Sequence, residues 1–188
     1  METSVSTTST KMRTVDMVYI ALFAVLMAVC SWISIPAAVP FTMQTFGVFL
    51  AVAVLGGKRG TLAILVYLLL GAVGAPVFAG FSGGISALVG STGGYIIGFL
   101  FLALVMWLME RLLGKKTWVM AVSMVLGLVV CYAFGTAWFM VVYARTTGAI
   151  GLWTALGWCV FPYIIPDLAK TALALMLSKR LAAVLKLR

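Results

Sequence analysis

The sequence contains no histidine, and only four of its 188 residues are acidic. Without an imidazole, a serine or cysteine nucleophile lacks its usual base, and a lone aspartate inside an apolar run cannot build a two-carboxylate hydrolase. Cysteine is scarce too. Cys30, Cys131 and Cys159 are scattered singly through apolar segments, a pattern that argues against a disulfide framework or zinc site and for buried thiols acting as small hydrophobes. Gly56-Gly57-Lys58-Arg59-Gly60 lacks the glycine spacing of a P-loop and the hydroxyl residue after its lysine. Any ATP hydrolysis would therefore belong to another subunit. The sequence points to no enzyme, no metal and no cofactor.

Charge of either sign is rare at 9%, against 64% hydrophobic residues and a mean hydropathy of +1.21. Several runs exceed the ~18–20 apolar residues that cross a bilayer, and they are continuous rather than alternating. These features specify an all-α polytopic membrane protein and exclude an outer-membrane barrel. The net charge of +9 does not signal nucleic acid, because the basic residues stand in short clusters between apolar runs, as juxtamembrane anchors do.

Residues 1–14 are polar and read as a flexible cytoplasmic tail; residues 15–188 read as one six-helix domain. The first helix is expected over 17–35, retained rather than cleaved as a signal peptide, with Asp16 at its edge. Pro36 and Pro40 then stiffen a short loop. Two shorter helices are expected over 41–57 and 60–74, an irregular loop over 75–90, and further helices over 91–113, 117–143 and 151–178. No charge occurs between Arg59 and Glu110. An uncharged, glycine-rich loop within that interval is unusual unless it packs on the protein or covers a site.

Six crossings gather Lys11, Arg13, Lys58, Arg59, Arg111, Lys115, Lys116, Lys179, Arg180, Lys186 and Arg188 on one side, leaving only Arg145 on the other. By the positive-inside rule both termini are expected in the cytoplasm.

The last run holds Pro162-Tyr163-Ile164-Ile165-Pro166-Asp167-Leu168-Ala169-Lys170, and Asp167 and Lys170 are the only charges between Gly148 and Ser178. An ionisable group at membrane depth costs at least ~2.5–3.5 kcal/mol on insertion scales, so it usually has a use. Spaced three apart, the two are neighbours on one helix face. They either form a structural pair or together grip a polar ligand. Counting twelve residues from Lys179 places Asp167 about 18 Å into a ~30 Å core, and Pro162 and Pro166 are expected to kink the helix there. Polar and aromatic residues converge near the same end: Thr42, Gln44, Thr45, Ser82, Ser86, Ser91, Thr92, Tyr95, Trp138, Tyr143, Trp153, Trp158 and Tyr163. Interfacial belts account for some, and the walls of a pocket for a small, partly apolar ligand would use the same residues. Gly90, Gly94 and Gly98 suit close helix packing within the chain. Ala24 and Ala28 form a similar small pair that either packs internally or meets another subunit.

Val39-Pro40-Phe41-Thr42-Met43-Gln44-Thr45, the run from Gly71 to Gly80, and Gly90-Ser91-Thr92-Gly93-Gly94-Tyr95-Ile96-Ile97-Gly98-Phe99 resemble the BioY family, the biotin-specific S components of energy-coupling factor (ECF) transporters. Residues 162–170 are similar to that family's acid-and-lysine motif. Ser91 departs from the pattern, standing where many relatives carry proline. The resemblance implies an S-component-like bundle in the bacterial plasma membrane that captures biotin from outside. Its partners would be a transmembrane coupling subunit, two ATPase subunits and the surrounding lipid. It also implies substrate binding by Asp167, Lys170, Gln44, Thr45, Tyr95, Tyr163 and Ser86, with Ala24 and Ala28 against the coupling subunit. On this reading Asp167 accepts from the ureido N–H groups, and Lys170 serves the ureido oxygen or the carboxylate. Two readings from other classes stand beside it: a structural or assembly subunit, and a self-sufficient proton-coupled carrier.

Overall fold

The computed structural model describes residues 13–184. Most of the expected amino-terminal tail, and Lys11, Lys186 and Arg188 of the charge argument, lie outside the described residues. Helix α1 (Thr14–Trp32) leads into a minimal hairpin, β1 (Ser34–Ile35) and β2 (Phe41–Thr42), and then α2 (Gln44–Leu55) and α3 (Gly57–Ala72). A single 3-10 turn (Ala79–Phe81) and the short α4 (Ile85–Val89) precede the long pair α5 (Gly93–Leu113) and α6 (Thr117–Thr146), followed by α7 (Leu152–Cys159) and α8 (Phe161–Val184).

α1, α5 and α6 are each long and apolar enough to cross a membrane, and α7 with α8 makes a fourth such segment bent by 40°. α2 and α3, with 12 and 16 residues, rise only about 18 and 24 Å. They complete six helical segments, of which these two are shorter than the bilayer core, as their short apolar runs suggest. Such helices tilt or are covered by neighbours. α2 has the cover, since Val48 to Leu55 are all buried in the main core.

The joints are local in origin. Gly56 links α2 to α3 at φ +80, a left-handed conformation that glycine adopts without penalty. The first amide of α3, at Gly57, is capped from a distance: it donates to Glu110 Oε2 at 2.5 Å, and Lys115 pairs with the other carboxylate oxygen at 3.1 Å. Asp16 is in the first turn of α1, as its sequence position suggests, and pairs with Arg59 at 3.2 Å.

Two sequence expectations need correction. The last segment is expected to kink around Pro162 and Pro166; it does break, at Val160 two residues before Pro162, but not at Pro166. Pro162 falls in the first turn of α8, where backbone N–H groups have no intrahelical partner to lose, while its ring would obstruct any continuation of α7. Pro166 is accommodated inside α8. The second correction concerns Ala24 and Ala28. They are 1% and 5% exposed and belong to this chain's own core, where α1 packs on α2 and α3. The face α1 leaves open is instead the bulkier row Val18, Leu22, Val25 and Val29. The small pair therefore serves internal packing rather than an exposed docking face. The glycine row on α5 is also internal: a β-carbon at Gly94 would come within 2.3 Å of Trp138, and one at Gly98 within 2.9 Å of Cys131 Sγ, both on α6.

Candidate functional site

The hairpin and the uncharged 75–90 segment are both tied down onto the helices. Ser31 donates to the Val77 carbonyl at 2.6 Å and Trp32 Nε1 to the Pro76 carbonyl at 2.8 Å, while Trp32 stacks on Phe81. Phe78 is buried against α3, where Gly71 has no side chain to obstruct its ring. On the hairpin side, Tyr163 of α8 donates its hydroxyl to the Val39 carbonyl and stacks on Phe41. The glycine-rich segment thus packs on the protein and also walls a cavity.

That cavity has a volume of about 430 Å³, within the range of small-molecule sites. All seven substrate-binding candidates named from the sequence line it: Gln44, Thr45, Ser86, Tyr95, Tyr163, Asp167 and Lys170. So do Thr42, Ser82, Ser91 and Thr92, whereas Trp138, Tyr143, Trp153 and Trp158 are not among its lining residues. Trp153 is 77% exposed, as an interfacial anchor would be.

Asp167 and Lys170, on adjacent turns of α8, are 3% and 6% exposed, a burial that an ion tolerates only when paired and hydrogen-bonded. Asp167 Oδ1 accepts from Lys170 Nζ at 2.8 Å and from Thr45 Oγ1 at 3.0 Å. Oδ2 accepts from the Tyr132 hydroxyl of α6 at 2.5 Å. Lys170 Nζ also donates to the Thr42 carbonyl at 2.6 Å, lies 3.3 Å from Thr45 Oγ1, and sits 4.2 Å from the centre of the Phe41 ring. The three ammonium protons therefore all have partners, and the pair binds α8 to α2, α6 and the hairpin at once.

Gln44 is oriented by a relay. The Tyr67 hydroxyl donates to the Val77 carbonyl at 2.9 Å, so it must accept from Gln44 Nε2 at 2.6 Å. The Gln44 amide oxygen is left as an acceptor. Tyr95 is held by a 2.8 Å bond between its hydroxyl and Thr136 Oγ1. Ser86 contributes from the exposed surface of α4.

Sequence reasoning missed Tyr132, as well as the Phe41 ring and Thr42 carbonyl as partners of Lys170. The available signal for Tyr132 was its place in the middle of α6. Membrane tyrosines concentrate at the interfaces, so one at mid-helix calls for a polar partner.

Tightly packed apolar helices around a solute-sized cavity, with a buried acid–base pair on its wall, define a membrane solute-binding bundle. The comparisons with known proteins agree. The model of the BioY family matches residues 3–187. The biotin transporter BioY of Thermotoga maritima is 43% identical over 85% of this chain and 91% of its own length. The probable biotin transporter BioY of Pyrococcus horikoshii is 42% identical over 90% of this chain and 98% of its own. The fold matches a crystal structure of the S-component for biotin from an ECF-type ABC transporter with a TM-score of 0.80, at 24% identity and covering 91% of this chain and 94% of that one. The chain belongs to the BioY family.

Proposed function

We propose that this chain binds biotin in the 430 Å³ cavity and serves as the substrate-specificity subunit of an ECF-type importer. Biotin combines an apolar bicycle, two ureido N–H donors, a ureido carbonyl and a carboxylate tail. The observation that carries the reading is the pair of acceptors left on the cavity wall: a lone pair on Asp167 Oδ2, which has one protein donor, and the Gln44 amide oxygen. A ligand with two N–H donors meets both needs, and Phe99, Ile96 and Tyr163 provide apolar surface around them. Lys170 acts mainly by holding Asp167 and the hairpin. A ligand oxygen reaches it by replacing the longest of its contacts, the one to Thr45.

The named relatives and the S-component fold support assembly with a coupling subunit and two ATPase subunits, a division of labour in keeping with the absence of a P-loop. The basic clusters support an orientation with both termini in the cytoplasm and the cavity reached from outside. Calorimetry of the purified chain with biotin and with analogues altered in the ureido ring tests the reading. Saturable binding that weakens when the ureido N–H groups are replaced is expected. No binding would favour the structural-subunit reading, in which Asp167 and Lys170 only lock helices together.

A further inference from the structure

The three donors to Asp167 are divided unequally between its oxygens. Lys170 and Thr45 both address Oδ1, filling the two lone pairs of that oxygen. Tyr132 alone addresses Oδ2, and it comes from α6 whereas Thr45 comes from α2. A ligand donor therefore reaches the carboxylate only at Oδ2, in the direction the Tyr132 hydroxyl leaves free. Tyr132 also has a second neighbourhood. Its side chain lines an apolar groove of about 590 Å³ between α6 and the bent α7–α8 segment, together with Leu128, Leu156, Val160 and Leu168. One face of the residue thus belongs to the ligand cavity and another to a groove walled by hydrocarbon.

We infer that Tyr132 is the residue that sets ligand orientation in this site: its hydroxyl leaves Asp167 a single acceptor direction, and its ring closes the cavity against the groove. The inference rests on the biotin reading above and deepens it. With Tyr132 in place, one ureido nitrogen of biotin is directed to Oδ2 and the other is not. Without the hydroxyl, Oδ2 offers both lone pairs, and either nitrogen can approach. A purely structural tyrosine would change stability without changing which nitrogen matters.

The test uses Tyr132→Phe, which keeps the ring and the wall, with Tyr132→Met as a second apolar filling should the first variant fold poorly. Binding of biotin and of its two mono-N-methyl ureido isomers is measured by calorimetry on wild type and on each folded variant. Wild type is expected to lose more affinity for one isomer than for the other, because one nitrogen faces the charged Oδ2 and the other the neutral Gln44 amide oxygen. Loss of the hydroxyl opens the second lone pair of Oδ2 and is expected to bring the affinities for the two isomers close together, while biotin itself keeps an N–H bond to Oδ2. A folded variant that keeps the wild-type isomer preference would overturn the inference while leaving the biotin reading intact. Absence of biotin binding by wild type itself would overturn both.

Discussion

Gly135 of α6 lies against the ring of Tyr95 of α5 so closely that a β-carbon there would come within 2.3 Å of Tyr95 Cδ1. The contact seats Tyr95 deeply enough for its hydroxyl to reach Thr136 at 2.8 Å while another part of the residue lines the ligand cavity. Gly135→Ala has to displace that ring. We expect a stability loss of ~1–3 kcal/mol from overpacking, accompanied by weaker biotin binding. Gly127→Ala is the comparison, because its β-carbon would press on Leu102 at 3.0 Å, a core residue outside the cavity lining. It should lower the unfolding temperature and leave affinity alone. Equal affinities for the two variants would remove Tyr95 from the ligand wall.

The buried acid and base can be separated by a double-mutant cycle. Asp167→Asn keeps the shape but presents an amide N–H where a ligand donor is expected, and a loss of ~2–4 kcal/mol in biotin affinity should follow. Lys170→Met leaves Asp167 charged and short of a partner, which is expected to cost ~3–5 kcal/mol of stability. Combining the two should return most of the stability and none of the binding. Thermal unfolding and calorimetry on the same four proteins check this, and a double variant that binds biotin normally would contradict a ligand role for Asp167.

Enlarging Ala24 or Ala28 to tryptophan should destabilise the purified chain before any partner is present, since both positions are closed by the chain's own core. Thermal unfolding is the measurement. Unchanged melting together with lost co-purification of a coupling subunit would return these two residues to the docking role that the family resemblance implies.

The proposed orientation is open to labelling in intact cells. Single cysteines at Lys58 or Lys115 should resist a bulky membrane-impermeant maleimide added outside, and one at Arg145 should react. The three native thiols are buried, so background should be low. Reaction at the first two positions would invert the assignment.

The long helices were legible in the sequence because membrane crossing imposes a minimum apolar length, and nothing in the runs of α1, α5 or α6 interrupts them. The shortness of α2 and α3 was legible for the same reason, from Lys58-Arg59 and the glycines that bound them. The site was legible through charge: Asp167 and Lys170 are conspicuous as the only charges between Gly148 and Ser178. What escaped was whatever depends on pairing distant backbone. The β1–β2 hairpin joins two residues with two, too few to leave an alternation, and Tyr132 meets a partner 35 residues away from within a uniform apolar run. Where Ala24 and Ala28 pack was not legible, because small residues mark close approach without saying to what; both are buried in this chain's own core.

The brevity of α2 sets how far the cavity lies from the basic link between α2 and α3. Gln44 and Thr45 open this helix on the cavity wall, and Lys58 and Arg59 lie just past its other end, in the first turn of α3. Its 12 residues make that separation about 18 Å. On the biotin reading, a ligand beside Gln44 would thus rest about 18 Å along α2 from that basic pair, well under the ~30 Å of a bilayer core.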